Sequence, residues 1–70
     1  SDYGFSPHDS FENRTQKFLD MIVDDRSYPS IINKIQEFYN IYKDSPYFMN
    51  RQIEDIWFIK KMAQTHVIFE

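Results

Sequence analysis

The sequence predicts an all-α domain, a three-helix orthogonal bundle with a 3₁₀ turn between helices two and three. Three observations carry that reading. Pro7, Pro29 and Pro46 divide the chain almost evenly, each beside a serine. Aliphatic and aromatic side chains return every three to four positions within each segment. The composition is 41% hydrophobic and 19% aromatic, with seven Phe, five Tyr and one Trp, which is enough apolar material for a core in a 70-residue chain. With roughly 60% of the chain surface buried at this size, aromatics must supply most of that burial.

Residues 1–6 read as a flexible lead-in to a single domain over 7–70, although Tyr3 and Phe5 have the character to pack back on it. Ser6-Pro7-His8-Asp9 places a hydroxyl at a candidate N-cap, Pro at the first helical position and an acid near N3. Helix one is therefore expected over 8–24. Its stripe is Phe11, Thr15, Phe18, Leu19 and Ile22, and it ends at Asp24-Asp25, where carboxylates oppose the negative end of the helix dipole.

Ser27-Tyr28-Pro29-Ser30 restarts the chain, and Ile31, Ile35, Phe38, Tyr39 and Tyr42 fall on one face of a helix expected over 29–43. Asp44-Ser45-Pro46-Tyr47-Phe48 is a turn signal, read as a short 3₁₀ piece at 46–49. Asn50 then caps a third helix over 50–66. Ile53, Ile56, Trp57, Ala63 and Val67 share one face of it, with the stem of Lys60 inside that arc, while Phe58, Met62 and Phe69 lie nearly opposite. A helix apolar on two sides is either central in its bundle or carries a partner surface. The tail from Val67 has strand-like composition, but a lone short strand has nothing to pair with, so the helix continues. The expected core is Phe18, Leu19, Ile22, Ile35, Phe38, Tyr39, Ile53, Ile56 and Trp57.

Charge and composition narrow the function classes. Eight Lys plus Arg stand against eleven Asp plus Glu, net −3, so a phosphate-neutralising nucleic-acid surface is not expected. The imbalance is local. Residues 1–25 hold Asp2, Asp9, Glu12, Asp20, Asp24 and Asp25 against Arg14 and Lys17, giving an acidic end and a mildly basic one. No apolar run is long enough to span a bilayer, and no leader pattern opens the chain. The absence of Cys removes disulfides, thiol nucleophiles and Cys-based zinc sites.

His8 and His66 sit near opposite ends without further ligands at zinc spacing, and each is expected to be exposed. No Ser, His and acid stand in a recognisable catalytic motif, so neither catalysis nor a cofactor is expected. Asp20, Asp24 and Asp25 lack the alternation and the Gly of a calcium loop and read as a solvated helix end. Lys60-Lys61 with Arg51 offers a small cationic patch for an acidic or phosphorylated peptide, blunted by Glu54 and Asp55.

Two stretches carry a family resemblance. Phe18-Leu19-Asp20-Met21-Ile22 is similar to the helix-one signature of the FF domain, with Phe18 as the first signature Phe and Met21 and Ile22 as the hydrophobic pair. Asp44-Ser45-Pro46-Tyr47 resembles that family's turn, with Asp44 and Tyr47 in place, and the spacing from Phe18 to Asp44 is about the family's. Trp57 or Phe58 stands in for the second Phe, with Arg51 upstream. The chain departs from the pattern at Ile31, where a Trp is usual, at Ser45-Pro46, and in a shorter turn before helix three. The same first stretch, with the segment from Ile31-Ile32 to Pro46, also resembles the paired amphipathic helix domains of transcriptional corepressors, a four-helix fold that needs another helix before Phe18, for which residues 1–10 are too few.

The FF resemblance implies a non-catalytic interaction module of a larger nuclear splicing or transcription-elongation factor; the isolated domain is expected to be a monomer. The ligands it implies are short peptides, including the phosphorylated tail of RNA polymerase II and acidic splicing-factor motifs. Arg51, Phe58, Lys61 and Met62 are the expected peptide-binding residues, and a basic or apolar peptide against Phe58 and Met62 fits as well. The rival expectation is a structural spacer or an oligomerising bundle whose second apolar stripe pairs with a copy of itself.

Overall fold

The computed structural model describes residues 3–24 and 27–69, the last four as backbone. Helices α1 (Phe11–Asp24) and α2 (Tyr28–Tyr39), a 3₁₀ turn (Asn40–Tyr42) and helix α3 (Pro46–Phe69) follow in order. They form an all-α orthogonal bundle. α2 and α3 share the most extensive contact. At about 1.5 Å per residue, the 24 residues of α3 account for most of the 38 Å long axis. No helix of the described residues is long and apolar enough to cross a membrane.

A serine starts every helix. The Ser10 hydroxyl accepts the Asn13 N–H at 3.2 Å, and the Ser10 carbonyl accepts the Arg14 N–H at 2.9 Å, opening α1. Ser6, expected in that role, closes a separate turn instead: its hydroxyl takes the His8 N–H and its carbonyl the Asp9 N–H. Helix one thus begins three residues later than expected, because the Ser6–Asp9 turn folds the preceding chain back onto the bundle. Ser27 caps α2 through the Ser30 N–H, with Pro29 in the first turn.

Ser45 caps α3, accepting the Phe48 N–H on its hydroxyl and the Met49 N–H on its carbonyl. Two expectations change as a result. Residues 46–49 are the first turn of α3, since Ser-Pro is an N-cap followed by N1, and Asn50 lies inside the helix. The 3₁₀ turn comes earlier, tightening the end of α2 at 40–42 before the chain reverses. α3 continues through Phe69, so the tail is helical.

The core comprises Phe5, Phe18, Met21, Ile31, Ile35, Tyr39 and Ile59, with Ile22, Phe38, Phe48, Ile56 and Phe58 among the half-buried side chains packed on it. Phe5 is a full member: its ring stacks on Phe38 at 4.7 Å and tilts against Phe18 at 5.1 Å. The described part of the lead-in is therefore tethered, while Ser1 and Asp2 lie outside the described residues. Phe18, Ile35 and Tyr39 are buried as expected. Leu19, Ile53 and Trp57 are not: they are 37%, 52% and 68% exposed, and Met21 and Ile59 take the inward positions. Asp25, Arg26 and the side chains of His66, Val67 and Phe69 lie outside what the structure describes.

Candidate interaction surface on the third helix

The reason α1 and α3 turn other faces inward is a charge pair at the centre of the bundle. Arg14 is 1% exposed and Asp55 0%. The Arg14 Nε donates to Asp55 Oδ1 and Oδ2 at 3.2 and 3.1 Å, and Nη2 donates to Oδ1 at 3.1 Å. Nη2 also reaches Glu54 Oε1 at 2.7 Å, and Nη1 reaches the Asp9 carbonyl at 2.8 Å. The Tyr39 hydroxyl, from α2, donates to Asp55 Oδ2 at 2.5 Å. All three helices therefore meet on one carboxylate. Among the described residues no buried side-chain polar atom is left without a partner.

Burial works against the charged form of Arg14, but the hydrogen bonds and charge of Asp55, helped by Tyr39 and Glu54, outweigh it and hold the guanidinium above its ordinary value. Burial pushes the Asp55 carboxyl up, opposed by the bonds from Arg14 and Tyr39. Burial, then the bond to Asp55 and its negative charge, push the Tyr39 phenol up as well, so the phenol keeps its proton and remains a donor.

Burying Asp55 sets the rotation of α3. Arg51, Asp55, Phe58, Ile59 and Met62 turn toward the bundle, and Asn50, Ile53, Trp57, Lys60, Lys61 and Gln64 are left on the outside. Trp57, Lys60, Lys61 and Gln64 line a shallow cleft of about 150 Å³. Among the described residues the ion pairs belong to Arg14 with Glu54 and Asp55, and neither lysine enters one. The acids expected to blunt this patch are thus engaged elsewhere: Asp55 faces inward, and Glu54 is held by Arg14.

The four residues singled out for peptide binding occupy different settings. Lys61 is exposed on the outer face. Arg51 is half-buried, donating from Nη1 to the Pro7 and Asp9 carbonyls at 2.8 and 3.2 Å and from Nη2 to the Tyr47 hydroxyl at 2.7 Å. Its guanidinium lies 5.0 Å from the Tyr47 ring centre. Arg51 holds the folded-back lead-in against α3, about 15 Å along the axis from Lys61. Phe58 packs edge-on to Phe11 at 6.2 Å and tilts against Phe18 at 6.1 Å, and Met62, one turn further on, is half-buried.

Periodicity alone puts Trp57 and the stem of Lys60 on the core side, whereas both residues are exposed on the outer face. A signal for the reversal is present in the sequence. Arg14 stands three and four positions from Phe11 and Phe18, and Asp55 three and four from Phe58 and Ile59. Opposite charges thus sit at the centres of two apolar arcs.

Other surface features offer less. A wider hollow of about 430 Å³ on α2 is lined by four polar residues, Asn33, Gln36, Glu37 and Asn40. His8 meets the Tyr42 hydroxyl at 2.6 Å and stands edge-on to Phe48, so it joins an aromatic cluster. Among the described residues no three His, Cys, Asp or Glu side chains gather in a way that could hold a metal ion. Compared with protein-family models, curated proteins and solved structures, the chain matches none of them.

Proposed function

We propose that this chain is a non-catalytic interaction module of the FF type, acting within a larger nuclear factor of pre-mRNA splicing or transcription-coupled processing. Its ligand is a short protein segment received on the outer face of α3. The observation that carries this reading is Trp57, 68% exposed beside Ile53 at 52%. A small domain with a thin core gains by burying its one tryptophan, and a large ring facing water beside unpaired lysines is a typical anchor for a partner.

The FF part of the reading is supported by the order of two helices, 3₁₀ turn and third helix, and by Phe18 at the centre of the core. Phe58, in contact with Phe18, suits the second signature ring better than Trp57 does. The cationic rim of Lys60 and Lys61 favours a peptide with carboxylates or phosphates next to apolar side chains.

Titration of the isotopically labelled chain with phosphorylated and unphosphorylated polymerase-tail peptides, and with acidic splicing-factor peptides, tests this by NMR. Shifts are expected at residues 53, 57, 60, 61 and 64. Trp57→Ala is expected to weaken binding by roughly tenfold or more while leaving helicity intact. Shifts centred on α2, or no shifts with any peptide, would remove the proposal.

A further inference from the structure

Two outward faces of the bundle set apolar side chains among charges of opposite sign. On α1, Leu19 and Val23 stand one turn apart, 37% and 75% exposed. Exposed Glu12, Gln16 and Asp20 share their side of the helix. On α3, Ile53 and Trp57 stand one turn apart with Lys60 and Lys61 beside them. Each face lies opposite the buried side of its own helix, Arg14, Phe18 and Met21 in α1 and Asp55 and Ile59 in α3. The inner sides meet across the Arg14–Asp55 pair, so the outer sides point away from one another. They cannot meet within one molecule.

We infer that the α1 face of one copy docks on the α3 face of another, a head-to-tail pairing of this chain with itself. The charges select that arrangement. Pairing α3 with α3 sets lysines against lysines, and pairing α1 with α1 sets carboxylates against carboxylates. Only the crossed pairing joins opposite signs while covering Val23 and Trp57. A heterologous contact leaves one free face at each end, so assembly grows with concentration instead of stopping at a symmetric dimer. Two short helix faces make a small interface, at the weak and transient end. The α3 face is also the one assigned above to a peptide, so copy and peptide exclude each other, but the pairing rests on the two faces alone and holds whether or not such a peptide exists.

Sedimentation velocity of the 70-residue chain from micromolar to millimolar concentration tests it, with helicity checked for each variant. The mean mass is expected to rise with concentration. The association constant should drop roughly tenfold between about 0.1 and 1 M salt as screening tightens. Lys60→Glu/Lys61→Glu and Glu12→Lys/Asp20→Lys are each expected to remain monomeric alone and to associate when mixed, because mixing restores opposite signs at both kinds of contact. If the α1 reversal costs helicity, Val23→Ser keeps the test, since losing that anchor at an exposed position should abolish association. A wild-type chain monomeric at millimolar concentration overturns the proposal, as does association indifferent to the reversals. So does a Lys60→Glu/Lys61→Glu variant that binds wild type more tightly than wild type binds itself, which would mark a symmetric α3 contact. Peptide titration reads a different event, so its failure leaves these outcomes unchanged.

Discussion

The core has two unlike halves. One is apolar: Ile31 and Ile35 of α2 packed with Phe5, Phe18 and Met21. The other is polar: Asp55, which accepts from Arg14 of α1 and from the Tyr39 hydroxyl of α2. Burial of hydrocarbon stabilises in proportion to area and tolerates shape-conserving exchange. A buried ion pair behaves differently, because most of its attraction is spent on desolvation, yet removing one partner strands a charge in a medium that cannot solvate it. The apolar half therefore supplies stability by degrees, and the polar half decides which faces of α1 and α3 go inward. Tyr39 belongs to both, its ring in one and its hydroxyl in the other.

The largest effect expected from breaking this contrast is that of Asp55→Ala, which leaves Arg14 buried without its main counter-charge. A loss of about 3–5 kcal/mol is comparable to the whole stability of a domain this small, so circular dichroism should show the variant largely unfolded at 25 °C. Arg14→Met/Tyr39→Phe/Asp55→Leu, which removes both charges together with the hydroxyl that Asp55 accepts from and fills the space, should fold with stability equal to the parent or higher. A folded Asp55→Ala chain would show that the pair does not govern the packing.

Next comes Tyr39→Phe, which keeps the ring and removes a donor from a buried carboxylate. A loss of about 1.5–3 kcal/mol in urea denaturation is expected, well above what an exposed hydroxyl would cost. In the apolar half, Ile35→Val should cost only about 0.5–1.5 kcal/mol.

The smallest effect is on the pH dependence. Burial raises the Asp55 carboxyl in the folded state, so the folded chain takes up that proton more readily than the unfolded one. The resulting stabilisation is fully present below the ordinary value of 3.8 and is lost as pH rises through the folded value. Relative to Arg14→Met/Tyr39→Phe/Asp55→Leu, the parent should gain stability as pH is lowered from neutral toward about 4. A relative loss over that interval would mean that the donors of Arg14 and Tyr39 outweigh burial.

The same contrast explains what was legible in the chain. α2 reads directly, because Ile31, Ile35 and Tyr39 share a face into which no charge intrudes. The restart at Ser27-Tyr28-Pro29-Ser30 reads from its proline, whereas Asp44-Ser45-Pro46 reads as a turn and is in the structure the start of α3. α1 and α3 are misread in rotation, because periodicity counts Arg14 and Asp55 as outward and so promotes Leu19, Ile53 and Trp57 to the core. Neither helix alone reveals the error. The two charges lie 41 positions apart in sequence, and only their meeting makes burial of either tolerable. The candidate surface inherits this history: Lys60 and Lys61 read as a cationic patch from sequence, whereas Trp57 becomes a surface residue only once Asp55 has claimed the inside.

Trp57 is the single tryptophan of the chain, and it stands in water on the outer side of α3. Its fluorescence is therefore an optical probe of what touches that helix, with little to say about whether the interior is intact. Thermal or chemical melting should leave the emission maximum almost where it began, while contact with a second molecule shifts it to the blue. One fluorophore thus separates assembly from unfolding without any added label.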